Sequence, residues 1–348
     1  MAAETVVPLL INYFQNREMK VKFRGEISSI RKQPGSGAQG ASLGNHEFLS
    51  QTNHNADSIP ESDRFKFVDD LSCLEIINLL SIGLASHNHK QQIASDIPVH
   101  GQIIDNKLLQ SQQYLDEISK WTTSQKMLLN ESKTKAMVVN FTTNYQFTTR
   151  LNLNNKNIDV VNKMKILGTT INNKLDWNEN CKNLISRVNK RMVFLQKILS
   201  FGANQREMVH LWITYCRSVL EQSAVVWQGG LTSKNRRDLE RTQKSFTKLI
   251  LKNRFTTYEQ ALISLNLSTL DSRRDQLSLK FALNCRKNEK TRHIFPLNKK
   301  THNYEVRKIS KYMVQKSNTE RLRKSPVIYM QNLLNKNHTT QENTRRPI

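Results

Sequence analysis

Met164-Lys165-Ile166-Leu167-Gly168-Thr169-Thr170-Ile171 is followed, six residues on, by Trp177-Asn178-Glu179-Asn180-Cys181-Lys182-Asn183-Leu184-Ile185-Ser186-Arg187-Val188, and between the two the hydrophobic period of this chain changes. Met164, Ile166 and Gly168 alternate, which is the two-residue period of a strand. Cys181, Leu184, Val188, Leu195, Ile198 and Leu199 keep to one helical stripe. The switch predicts an α+β fold with mixed sheet and helix over 1–175, an all-helical region over 176–285, and a basic, partly disordered tail over 286–348.

Upstream of the switch, Val7, Leu10, Ile11 and Phe14 predict a short helix over Glu4 to Gln15. Met19, Val21 and Phe23 then alternate as a strand, with a turn at Arg24-Gly25 and a partner strand marked by Ile27 and Ile30. Gln33 to Asp57 turns to Gly, Ser, Asn and Gln. Phe65 and Phe67 mark a strand over Arg64 to Val68, Asp69-Asp70 a turn, and Cys73 to Ile77 its return. A helix is expected over Ile104 to Lys126 with Leu108, Leu115, Ile118 and Thr122 on one side. Met137, Val139 and Phe141 read as a further strand, and Leu151 and Leu153 as another.

Downstream, helices are expected at Gln205 to Ser218, Ser233 to Leu251, Thr257 to Leu265 and Asp271 to Arg286, the last capped by Thr269 or Asp271. Trp212, Tyr215 and Trp227 fall at core spacing and read as packing groups. From Arg286 to Ile348 there are 16 Lys and Arg against 4 Glu, a charge of +12. Its few large apolar residues, Tyr312, Val314 and Val327 to Leu334, leave little for a core, which predicts a solvated arm.

The whole chain carries 53 Lys and Arg against 29 Asp and Glu, a formal charge of +24 over 348 residues. That field selects a polyanion as partner, nucleic acid first and an anionic membrane surface second. The apolar run Ile76 to Leu84 is far short of the ~20 residues needed to span a bilayer. Met1 to Thr5 lacks the pattern of a secretory signal, so an intracellular chain is expected. Cys73, Cys181, Cys216 and Cys285 share no metal-binding spacing and read as reduced core thiols.

Phe67-Val68-Asp69-Asp70 places two adjacent carboxylates at a predicted hairpin, where hard oxygen ligands suit Mg²⁺. Around it stand, in order, Gln39-Gly40-Ala41-Ser42-Leu43-Gly44, Asn130-Glu131-Ser132-Lys133-Thr134-Lys135 and Leu167-Gly168. Arg217 to Trp227, Asp238 to Lys244 and Leu270 to Arg274 continue the series. The ordered set resembles reverse transcriptases of non-LTR (LINE-type) retrotransposons over nearly the whole chain.

The resemblance implies that 1–175 is the later part of a polymerase palm, 176–285 a thumb and post-thumb region, and the function RNA-directed DNA polymerisation on an RNA template and DNA primer duplex. By it Asp69 and Asp70 are metal ligands for Mg²⁺, with Mn²⁺ as the alternative ion, and Lys133 lies near the triphosphate of an incoming deoxynucleotide. Gln39, Gly40 and Phe67 would shape the nucleotide and template pocket, and Leu167 and Gly168 the primer grip. It also implies nuclear action. The family carries a further metal-binding aspartate on a strand well before the Gln-Gly motif. Here the acidic residues before Gln39 are Glu4, Glu18 and Glu26. An N-terminally truncated member, inactive alone, is therefore expected, with a catalytically dead nucleic-acid-binding remnant as the alternative. Lys182, Arg187, Lys190, Arg191, Lys234, Arg236, Arg237, Arg241 and Lys244 on the predicted helices are the expected phosphate contacts.

Overall fold

Residues 18–32, 57, 59–60, 64–67, 70–76, 97–141, 150–298 and 310–345 are described in the computed structural model, and for 97–108 and 339–345 the backbone alone. The protein mixes helices with small two-stranded antiparallel ladders. Its chain divides into two compact units, Met1–Ala136 with Phe147–Asp159, and Met137–Gln146 with Val160–Ile348.

In the first unit, β1 (Glu18–Met19) pairs with β4 (Arg31–Lys32), and β2 (Lys22–Phe23) with β3 (Glu26–Ile27), as one solvent-exposed hairpin. Arg24 and Gly25 both have positive φ, the two-residue turn whose twist suits paired strands. A second hairpin joins β5 (Arg64–Phe67) to β6 (Asp70–Cys73), with Phe67 opposite Asp70. Asp70 is thus a strand residue rather than half of a turn. Leu71 on this hairpin packs against a small core of Ile59, Tyr114 and Ile118, whereas Phe65 and Phe67 face solvent. Cys73 is exposed, which corrects its expected place in a core; the other three cysteines are buried thiols.

Helix α1 (Ile97–Ser124) starts seven residues before its expected position and supplies Tyr114 and Ile118 to that core. Met137 to Phe141, expected as a strand, forms none; only the two-residue β7 (Lys135–Ala136) precedes it. Alternation supplies a face but not a ladder partner. Strands β8 (Asn152–Leu153) and β9 (Lys156–Asn157) close over Asn154-Asn155, again with positive φ at both turn residues. The Gln112 side-chain amide pairs with the backbone of Asn152 in both directions at 2.8 Å, docking this hairpin on α1.

β10 (Asp159–Val160) carries the chain into the second unit, where the hairpin of β11 (Lys163–Ile166) and β12 (Thr169–Asn172) follows, and then α2 (Asn178–Ser200). Cys181, Leu184, Val188 and Leu195 form the predicted buried stripe of α2. Next come α3 (Gln205–Leu211), a π-helical stretch Trp212–Arg217, α4 (Ser218–Glu221) and α5 (Ala224–Trp227). Met208, Trp212, Cys216 and Leu220 are all fully buried at intervals of four. In a regular α-helix a four-residue step drifts by about 40°, so three steps would turn the last side chain about 120° away from the core. The wider turn cancels that drift. It also ends the predicted continuous helix at Leu211.

Helices α6 (Ser233–Leu251), α7 (Tyr258–Ser264) and α8 (Leu270–Lys287) start on Thr232, Thr257 and Thr269, whose hydroxyls accept from the backbone N–H three residues on. The Asn178 and Asn235 side chains hydrogen-bond at 2.9 Å, holding the starts of α2 and α6 together. Beyond α9 (Glu320–Arg323), α10 (Pro326–Arg345) lies within the region expected as a solvated tail. Val327, Met330 and Leu334 instead pack with Ala282, Cys285, Phe295 and Tyr312. The apolar residues noticed in the tail are the ones that fold it.

Candidate nucleic-acid interface

The β11–β12 hairpin closes through Leu167 at φ 46° and Gly168 at φ 84°. A Cβ on Gly168 would stand 2.2 Å from Gln222 Nε2, the end of a flexible side chain that could move aside, so it is the positive φ that calls for glycine. Gln222 Nε2 donates to Leu167 O at 3.3 Å, and Gln222 Oε1 accepts from Arg187 Nη1 at 3.1 Å. One turn further along α2, Arg191 lies over the Tyr215 ring at 4.3 Å and its Nη1 donates to Tyr215 O. The structure therefore brings Leu167, Gly168, Arg187 and Arg191 into one row. Gln222, which ties Leu167 to Arg187, was missed because an amide after a short helix has no sequence signature of its own.

Two cationic faces flank this core. On α2, Lys182 and Lys190 are exposed, as is Lys197, all on the side away from the buried stripe. On α6, Lys234, Arg237, Arg241, Lys244 and Lys248 are exposed and follow one another at steps of three and four. That spacing lines one helix face over about 21 Å. Arg241 pairs with Asp238 at 2.7 Å but remains 74 % exposed, where such a pair is worth little. Of this stripe only Lys248 was not expected, and its seven-residue recurrence with Lys234 and Arg241 was the available signal.

Arg236, also expected as a phosphate contact, does not belong to these faces. It sits on the inner side of α6, paired with Asp271, and donates to Gln228 O at 2.9 Å. Beside it, Arg274 is fully buried, donates from Nε to Gln228 Oε1 at 2.7 Å and lies over Trp227. Gln228 Nε2 donates to Asp271 and Asp275, and Tyr329 on α10 donates to Asp275. Burial pushes the Tyr329 phenol up to about 12, with the Asp275 hydrogen bond adding to the shift. This polar centre is a structural joint between α5, α6, α8 and α10. No family model, no curated protein and no solved structure matches the chain.

The expected chemistry lies in the other unit. Asp70 is exposed at the start of β6, beside an exposed Phe67. Asp69, Gln39 and Gly40 lie outside the described residues. Lys133 is exposed in a loop organised by Asn130, whose Oδ1 accepts from Ser132 Oγ at 2.8 Å and Lys133 N at 3.2 Å. That loop borders a cavity of about 530 Å³ lined by Leu128 to Ser132, Leu153 and Lys156 to Asp159. At its rim the Lys156 ammonium and the Asn154 amide hold the Glu131 carboxyl below the usual carboxylate range. Among the described residues no three His, Cys, Asp or Glu side chains gather as a metal site, and no helix is long and apolar enough to cross a membrane.

Proposed function

We propose that this chain binds a primer–template duplex as the later palm and thumb of a LINE-type reverse transcriptase, an RNA-directed DNA polymerase acting on nuclear DNA. The observation that carries the binding is the five-cation face of α6, exposed along about four turns with one acidic side chain beside it. Cations in such a row release counterions from a nucleic-acid backbone, and five contacts give a slope of roughly −4.5 in log K against log salt. The motif order supports the polymerase ancestry.

In this reading Asp69 and Asp70 would hold Mg²⁺, or Mn²⁺, only with help from substrate phosphates, since two carboxylates are too few to enclose the ion. Bound there, the ion would neutralise charge on a deoxynucleoside triphosphate. Lys133, exposed and free to reach, would meet the same phosphates. Residues 1–38 contain no aspartate, and the reading proposed for these 348 residues is duplex binding, with synthesis put to a separate test.

Fluorescence anisotropy with an RNA–DNA hybrid tests the binding. Affinity should fall by several hundred-fold, to order of magnitude, between 50 and 200 mM salt; a salt-independent affinity sinks the proposal. Primer extension on a primed RNA template with Mg²⁺ should give no product. Incorporation abolished by Asp69→Ala would instead restore a working polymerase.

A further inference from the structure

The row that starts at the Leu167–Gly168 turn ends on two aromatic side chains that phosphate binding leaves unused. Tyr215 lies in the π-helical stretch, 40 % exposed, while Trp212 and Cys216 of the same stretch are fully buried. The expectation that Tyr215 packs in the core is thereby corrected. Its ring meets Phe194 of α2 edge-to-face, with centroids 5.8 Å apart, and Phe194 is 50 % exposed. Arg191 lies over the Tyr215 ring and is fixed there by its bond to Tyr215 O.

We infer that Tyr215, Phe194 and Arg191 form a stacking platform for an unpaired nucleobase of a single-stranded segment adjoining the bound duplex. The inference rests on the nucleic-acid reading and adds to it the class of strand that this face takes. An aromatic ring and a guanidinium plane are the two side-chain surfaces on which splayed bases stack. The charge agrees, since Arg187, Lys190, Arg191 and Lys197 lie on the same helix as Phe194, Arg191 over the Tyr215 ring itself, and favour a polyanion. Size agrees as well. Two rings are far too small for a stable protein interface of about 1,600 Å², but one or two rings suffice for a base. The wide turn is part of the device, because keeping Trp212 and Cys216 inward is what leaves Tyr215 outward.

The test uses the full chain and two probes: a blunt RNA–DNA hybrid, and the same hybrid with a five-nucleotide overhang carrying 2-aminopurine. Wild-type protein should prefer the overhang probe and change its fluorescence. In the double variant Tyr215→Leu, Phe194→Leu that preference should fall about 5- to 150-fold, the range for loss of one stacked base. Blunt-hybrid affinity and salt slope should stay unchanged, because stacking releases no counterions. Tyr215→Trp should keep the preference, which guards against a mere folding defect. Equal binding of both probes by wild type, or an unaltered preference in the double variant, overturns the platform while leaving duplex binding intact. Equal losses on both probes overturn it too, by making the rings structural. A wild-type chain that binds neither probe overturns the duplex reading and the platform together.

Discussion

Leu167 holds a backbone conformation that L-residues adopt at a cost of about 1 kcal/mol, on a turn where Asn or Gly would be at ease. Leu167→Asn should therefore raise stability by up to about 1 kcal/mol in urea titration. Gly168→Ala should do the reverse, by about 1 kcal/mol or more, because its positive φ strains any L-residue and the methyl displaces the Gln222 amide from Leu167 O. Arg274→Met is expected to cost about 1–3 kcal/mol, since it leaves the buried Gln228 Oε1 without the donor it has in Arg274 Nε, while Arg236 keeps Asp271 paired. For the thiols, burial pushes Cys181 up to about 12 and Cys216 up to about 11, which keeps both protonated at neutral pH. A disulfide reagent at pH 8 should label Cys73 in the native protein and reach Cys181 and Cys216 only on unfolding; fast native labelling of Cys181 would contradict the packing of α2.

At the scale of an element, α6 separates two kinds of arginine. Replacing Lys234, Arg237, Lys244 and Lys248 together by Gln should lower hybrid affinity and flatten the salt slope by roughly 0.9 per lost phosphate contact. Stability should change little, because these side chains are exposed. The α8–α10 joint gives a pH signature. Tyr329 is an acid whose folded pKa, about 12, stands above its ordinary 10.0, so its contribution is complete below pH 10 and is lost as pH rises through about 12. Alkaline denaturation should be shallower over that window in Tyr329→Phe. The helices α2, α6 and α8 were legible because each has a clean apolar stripe or a Thr cap. The π-helical stretch was not, since Met208, Trp212, Cys216 and Leu220 at steps of four look like an ordinary helix until the accumulated drift is counted. Arg236 and Arg237 are neighbours in sequence, and only the position of the core decides that one pairs with Asp271 while the other faces water.

Across the whole molecule, half of the net charge was assigned to a solvated arm, yet α10 buries Ile328, Met330 and Leu334. Leu334→Ala should cost about 2–5 kcal/mol, measurable as a lower urea midpoint; no change would mean that the tail is dispensable. The expected boundary at 175 follows the period switch in the sequence. The compact units instead place the β11–β12 hairpin with the helices, because its turn is tied to Gln222 and Thr170 N donates to Asn180 Oδ1 at 3.1 Å. No periodicity announces such tethers, for they are single polar bonds between residues distant in sequence. The carboxylate pair was legible as a hairpin and only as that: β5 and β6 place Asp70 across from Phe67, while its chemistry depends on groups from beyond the hairpin.

The chain visits its two units alternately, giving Met137–Gln146 to the second before returning to the first for Phe147–Asp159. During synthesis the first unit therefore cannot close as soon as α1 has emerged, since the β8–β9 hairpin that docks on Gln112 comes later. No single cut yields two whole halves. A protease nick or an expression boundary near residue 136 strands that hairpin on the wrong fragment, and one near 159 strands Met137–Gln146.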